Sequence, residues 1–196
     1  MAKLYFRYGA MNSGKTTALI QTAYNYEEND KKTIILKASV DTKGKDYIVS
    51  RIGAQKKVTK LVSDERLYPF YSDININEYS AILVDEAQFL KDYQIEDLFI
   101  ISKIYNIPVI CYGLRTDFKT NSFSGSKRLL ELADELEELI TICTCGKKAR
   151  FNSRNINGDF IKDGEQVLIE DENCKIKYIP LCGKCYVEKV MKIKEK

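Results

Sequence analysis

The run Gly9-Ala10-Met11-Asn12-Ser13-Gly14-Lys15-Thr16 sets two glycines, a lysine and a hydroxyl residue at the spacing G-x-x-x-x-G-K-[ST]. Glycines let a backbone wrap closely around a phosphate chain. The loop N–H groups and the start of a following helix attract anionic oxygens. Lys15 is placed to reach the β- and γ-phosphates of ATP, and the Thr16 hydroxyl to ligate Mg²⁺. A second constellation, Asp85-Glu86, ends the apolar run Ala81-Ile82-Leu83-Val84. The carboxyl ends of parallel strands face the ligand crevice. Asp85 there suits magnesium, and Glu86 can take a proton from an attacking hydroxyl. If water supplies that hydroxyl, the chemistry is ATP hydrolysis; if a small molecule does, it is phosphoryl transfer. The bland alternative for Glu86 is a charge that caps a helix start.

The chain contains no histidine, which excludes histidine bases, triads and metal ligands and leaves proton transfer to carboxylate, Lys, Tyr or Cys. Four of the six cysteines form the pairs Cys143-x-Cys145 and Cys182-x-x-Cys185. Four thiolates satisfy tetrahedral Zn²⁺ with no open position, so such a site is structural. Close pairs in a chain with a nucleotide loop and no export signal read as a metal site, with free thiols or a disulfide as the alternative. Cys111, on an apolar run, reads as a core filler, and Cys174 has no assigned role.

These groups need a scaffold. Leu4–Tyr8, Thr33–Lys37, Ala81–Val84 and Val109–Tyr112 read as buried strands. Lys15–Glu27, Gln94–Tyr105 and the amphipathic Ser126–Leu139 read as helices. Strands alternating with helices predict an α/β fold with a parallel sheet covered on both faces. From about Thr141 the style changes to short strand-like pieces with paired cysteines and Gly, Asn and Asp. The expected division is a nucleotide-binding domain over 1–140 and a small zinc-binding domain over 141–196. The net charge of +3, from 31 basic and 28 acidic residues, is too weak for a dedicated nucleic-acid binder. The apolar runs are strand-sized, so no membrane span is expected. With the phosphate loop beginning at Gly9, no signal peptide is expected either, and the predicted location is cytoplasmic. The basic ending Lys189–Lys196 reads as a solvated tail.

Asp85-Glu86-Ala87-Gln88-Phe89 resembles the corresponding motif of the thymidine kinase family that includes cytosolic, bacterial and poxviral enzymes. The phosphate loop with its Met11-Asn12-Ser13 interior is similar to that family's, and Tyr112-Gly113-Leu114-Arg115-Thr116-Asp117-Phe118 resembles its next block in the bacterial version. The cysteine pairs and Lys177-Tyr178 complete a resemblance running from about Leu4 to Tyr186. It implies a P-loop NTPase fold with a RecA-like core and a small C-terminal zinc-binding subdomain carrying a "lasso" loop, here Asn152–Ile176.

The resemblance also implies roles. Glu86 matches the base that activates the 5′-hydroxyl of thymidine. Asp85, Ala87 and Gln88 lie in the segment used around nucleotide and magnesium. Asp41 and Arg51 match residues that help hold magnesium waters and the reacting phosphate or sugar. Phe118 matches an aromatic packed on the thymine ring, with Phe89 and Phe123 as further substrate-side aromatics. Tyr178 matches a residue near sugar and base. The lasso backbone near Gln166–Ile169, including Leu168, reads the base edge. The family often carries Gly-Gly where this chain has Glu170-Asp171. The implied partners are ATP and thymidine, with deoxyuridine also accepted, feedback inhibition by thymidine triphosphate (dTTP), and a homotetramer.

Two other readings compete. Asp-Glu-Ala-Gln also looks like the second motif of helicases, but a helicase of that type needs two nucleotide-type domains and this chain has room for one. A zinc-ribbon module binding nucleic acid is the other, and the near-neutral charge weighs against both.

Overall fold

The computed structural model describes residues 1–166 and 176–193. Its centre is a sheet of six parallel strands in the order β5-β2-β6-β7-β1-β8. In chain order the elements are β1 (Leu4–Tyr8), α1 (Lys15–Glu27), β2 (Lys32–Ala38), the hairpin β3 (Tyr47–Val49) and β4 (Gln55–Lys57), and β5 (Lys60–Val62). There follow β6 (Tyr79–Asp85), α2 (Asp92–Ile104), β7 (Val109–Gly113), α3 (Ser124–Leu132) and β8 (Glu135–Glu138).

The central strands are mostly apolar because both faces are covered, as parallel sheets require. Alternate residues separate cleanly. Leu4, Phe6, Ile34, Leu36, Ile82, Val84, Val109 and Cys111 pack with Ile95, Leu98 and Ile101 of α2 and Leu129 of α3. Ile35, Ala81, Leu83, Ile110 and Tyr112 pack on the other face with Leu19 and Ala23 of α1. Cys111 is the core filler expected, fully buried, and burial pushes its thiol pKa up.

One expected element is corrected. Ser126–Leu139 is not a single helix: α3 ends at Leu132, and Glu135–Glu138 becomes the edge strand β8 beside β1. The apolar spacing continues to Leu136, but Ala133 leaves the helix with ψ 133. Asp134 then accepts the Leu4 N–H at 2.7 Å and donates its own N–H to Leu4 O at 2.9 Å. Pairing with β1 overrides a local period that continues equally well in either structure. The hairpin β3–β4 is also absent from the sequence reading, as three-residue strands carry too short a pattern.

After the large sheet come a two-stranded hairpin of β9 (Thr141–Ile142) and β10 (Lys148–Ala149), and a three-stranded antiparallel sheet ordered β12-β11-β13. The latter combines β11 (Phe151–Ile156), β12 (Asp159–Ile161) and β13 (Ile176–Leu181), followed by the short helix α4 (Gly183–Lys189). The expected lasso Asn152–Ile176 therefore does not begin as a loop. Asn152–Asn155 form a buried strand, and its polar composition is what made it read as loop. The expectations for Leu168, Ile169, Glu170, Asp171 and Cys174 lie outside the described residues.

Candidate active site

The phosphate loop leaves β1 at the carboxyl end of the sheet and turns into α1 at Lys15. Two of its glycines are required by geometry. Gly14 has φ +76, a conformation L side chains rarely adopt. A Cβ on Gly9 would lie 2.5 Å from the carbonyl oxygen of Leu139. Inside the loop, the buried Lys15 Nζ donates to Ala10 O at 2.9 Å. Burial lowers its pKa, opposed by the charges of Glu86 and Asp85. A cation within reach of the loop and open to the cavity fits a triphosphate.

Asp85 ends β6 on the far side of β7, nearly buried. Its pKa is pushed up to about 7 by burial first and then by the charge of Glu86, with Asp41 adding and Lys15 opposing. Asp85 thus feels two other carboxylates, Glu86 and Asp41, and one lysine. Carboxylate and hydroxyl oxygens such as those of Asp41, Asp85 and Thr16 are the hard donors that Mg²⁺ takes. Asp41 is placed by Lys37, a lysine wholly buried on β2 whose Nζ lies 3.2 Å from Asp41 Oδ2. Lys37 also donates to the carbonyls of Lys43, Lys45 and Tyr47, so one side chain fixes the loop into β3.

Glu86 sits in the left-handed region with φ 50, a strained conformation for a non-glycine residue and one that clusters at functional sites. It stands at the start of the 3₁₀ turn Ala87–Phe89, but its side chain makes no capping hydrogen bond. Gln88 instead donates its side-chain amide to Glu86 Oε2 and accepts the Leu114 N–H through Oε1 at 3.0 Å. Gly113 makes room for this, since a Cβ there would lie 2.8 Å from Gln88 Oε1.

Lys15, Thr16, Asp41, Glu86 and Gln88 border one cavity of about 500 Å³, within the range of small-molecule sites. On the phosphate side it is lined by Met11, Asn12, Gly14, Lys15 and Thr16. Asp41 and Arg51 line it from the β3–β4 region, and Glu86, Gln88 and Phe89 from the end of β6. Phe118, Phe123, Gln166 and Tyr178 line it as well. Phe89 and Phe123 meet edge to face at 5.7 Å. Gly9, Ala10, Ser13, Asp85 and Ala87 do not line the cavity, and Leu168 lies outside the described residues.

Sequence reading missed four residues that arrange this wall. Lys37 is the first; its only signal was a lysine inside an otherwise apolar strand. Asn152 accepts the Met11 N–H through Oδ1 and donates to Thr116 O, both at 2.8 Å. Asp117 accepts the N–H groups of Lys119 at 2.8 Å and Asn121 at 2.9 Å, and takes a hydrogen bond from Gln166 Nε2 at 3.1 Å. Arg154 donates to the Tyr178 hydroxyl. Asn152 and Arg154 alternate along a polar strand that looks solvated in sequence, so nothing there marked them.

The four paired cysteines converge. Their sulfur atoms all lie within 4.8 Å of one another, with Cys145 and Cys182 at 3.5 Å. A tetrahedron of thiolates about 2.3 Å from zinc has sulfurs roughly 3.8 Å apart, so the set fits a closed zinc site. Burial works against ionising Cys143, yet the N–H groups of Cys145 and Cys182, together with the side chains of Cys145 and Cys185, outweigh it and bring the thiol to about 6.

Among the described residues no helix is long and apolar enough to cross a membrane. The family model for thymidine kinase matches residues 2–186. The chain is 42% identical to the thymidine kinase of Mannheimia succiniciproducens over 98% of this chain and 99% of that protein. Against the thymidine kinase of Francisella tularensis subsp. holarctica the identity is 41%, covering 97% and 99%, and against that of Haemophilus influenzae 43%, covering 93% and 99%. Among solved structures it is similar to the Legionella pneumophila ATPase DotB at a TM-score of 0.36 and 15% identity, over 75% of this chain and 43% of that one. A match over nearly the whole length, to relatives of the same length that bear one name, places this chain in the thymidine kinase family.

Proposed function

We propose that the protein transfers the γ-phosphoryl group of ATP to the 5′-hydroxyl of thymidine, giving thymidine monophosphate and ADP. The observation that carries this reading is that one cavity is lined together by Lys15 and Thr16 of the phosphate loop, by Glu86, and by the aromatic residues Phe89, Phe118, Phe123 and Tyr178. The 5′-oxygen attacks the γ-phosphorus while the bond to the β–γ bridging oxygen breaks. The hydroxyl proton passes to Glu86, which Gln88 orients. Lys15 and the loop N–H groups meet the charge on the phosphates, and positioning and charge stabilisation do most of the work in such transfers. Thr16, Asp85 and Asp41 would hold Mg²⁺, which neutralises phosphate charge when bound. Arg51, which lines the cavity, would help hold the reacting phosphate or sugar.

Phe118, Phe123 and Phe89 offer faces and edges for a planar base, with Tyr178 and Gln166 beside it and Leu168 in the base-reading segment. Water exclusion, which a kinase needs to avoid hydrolysing ATP, falls to the segment between β12 and β13. Residues 141–196 form the smaller domain, braced by Zn²⁺ on Cys143, Cys145, Cys182 and Cys185, and 1–140 the nucleotide domain. Family membership supports deoxyuridine as a second acceptor, dTTP as an inhibitor, a homotetramer and a cytoplasmic location. The test is phosphate transfer from ATP to thymidine, run beside ATP hydrolysis with and without single-stranded DNA. Thymidine monophosphate formed in step with ADP supports the proposal; DNA-stimulated hydrolysis without transfer refutes it.

A further inference from the structure

Arg154 lies in the middle of β11, paired across the sheet with Tyr178 of β13 and Ile161 of β12. Its side chain is only 1% exposed, and among the described residues the partners of its guanidinium are neutral. Nε and Nη2 donate to the Tyr178 hydroxyl at 3.1 and 2.9 Å. Nη2 also donates to Gln166 O at 3.1 Å. The guanidinium carbon sits 3.7 Å from the centre of the Phe118 ring and 5.4 Å from that of Tyr178.

A charge removed from water is costly, and an apolar side chain of similar volume fills such space at less cost. What a lysine or methionine cannot supply is a planar fork that stacks on one ring while aiming two donors at a second group. Phe118, Tyr178 and Gln166 all line the cavity. Arg154 is behind all three and is not itself part of the lining.

We infer that Arg154 is a positioning residue for the nucleoside, setting the plane of Phe118, the hydroxyl of Tyr178 and the chain at Gln166 as one rigid wall for a planar base. The inference rests on the thymidine reading above, which wild-type transfer to thymidine tests on its own. If Arg154 acts through these groups, its loss disturbs the nucleoside half-site and leaves the phosphate half-site intact. Stacked cation–aromatic and charge-assisted contacts of this kind are worth roughly a tenfold change or more when desolvated.

The experiment measures kcat and the KM of thymidine and of ATP for the wild type, Arg154→Met, Arg154→Lys, Tyr178→Phe and the double variant Arg154→Met/Tyr178→Phe. Arg154→Met is expected to raise the thymidine KM about tenfold or more while the ATP KM stays within about twofold. Arg154→Lys keeps the charge and is expected not to restore the wild-type thymidine KM. Because the arginine acts partly through Tyr178, the double variant should lose less than the product of the single losses. Tyr178→Phe retains the arginine and the packing, so it tests the same wall should Arg154→Met fail to fold. The inference is overturned if thymidine KM is unchanged in Arg154→Met or in Tyr178→Phe, if Lys restores it, if both KM values rise in parallel with a fall in Tm, or if the losses multiply.

Discussion

Asn152 Oδ1 accepts the backbone N–H of Met11 at 2.8 Å while its amide nitrogen donates to Thr116 O at the same distance. One buried side chain of β11 therefore bridges the interior of the phosphate loop and the segment that carries Asp117 and Phe118. Nearby, the Thr141 hydroxyl donates to Asn12 O at 3.2 Å, a second strut from the C-terminal strands to the same loop.

Replacing Asn152 by Ala should leave a buried donor and a buried acceptor unsatisfied, at a cost of about 1–3 kcal/mol each. Because it touches both half-sites, the KM of ATP and that of thymidine should both rise, by about fivefold or more. Asn152→Asp retains the acceptor for Met11 but cannot donate to Thr116, so its effect should fall more on thymidine. Steady-state kinetics with each substrate varied, beside thermal melts, checks this. An ATP KM that stays put in Asn152→Ala would separate Asn152 from the phosphate loop.

Gly125, at the start of α3, has the backbone of the segment after Glu86 against it. A Cβ there would lie 2.6 Å from the carbonyl oxygens of both Ala87 and Leu90, and neither can step aside without moving the turn that bears Gln88. Gly125→Ala should cost about 1–3 kcal/mol of stability through overpacking. It should also lower kcat more than it changes the KM of ATP, since the displaced turn orients the proposed base. A variant with wild-type Tm and kcat would show that this contact relaxes freely.

Zinc should be a folding element of the C-terminal strands. About one zinc per chain is expected by elemental analysis, and Cys182→Ser should release it, because structural metal binding is also folding free energy. The loss should appear as a lowered Tm and raised KM for both substrates, as β9 and β11 brace the phosphate loop through Thr141 and Asn152. A metal-free preparation with full activity and unchanged Tm would contradict the structural assignment.

The core strands were legible because parallel strands buried on both faces are near-continuous apolar runs: Leu4–Tyr8 and Val109–Tyr112 read correctly almost to the residue. The phosphate loop and the cysteine pairs were legible because their chemistry dictates spacing within a few residues. Glu135–Glu138 was misread as helix because an edge strand with charged residues has no period of its own to oppose the helical one. Lys37, Asn152, Asp117 and Arg154 were missed for a different reason. Their partners lie at Lys43, Met11, Gln166 and Tyr178, on other elements, and only the folded chain makes those pairs.

The central claim is that Glu86 accepts the proton of the attacking hydroxyl, and Glu86→Gln tests it most directly. General base catalysis typically contributes about 10²–10⁴-fold. Gln keeps the shape of Glu86 and can still hydrogen bond, but cannot take the proton. Its kcat should fall by about that factor with thymidine KM changed only modestly, and added magnesium should not restore it. Asp85→Asn, run in parallel, should be partly rescued by raised magnesium. The measurement is kcat for transfer to thymidine across a magnesium titration for the wild type and both variants. A large, magnesium-independent loss in Glu86→Gln is the predicted result. Wild-type kcat in that variant, or its recovery by magnesium, would make Glu86 a metal or structural residue and contradict the mechanism.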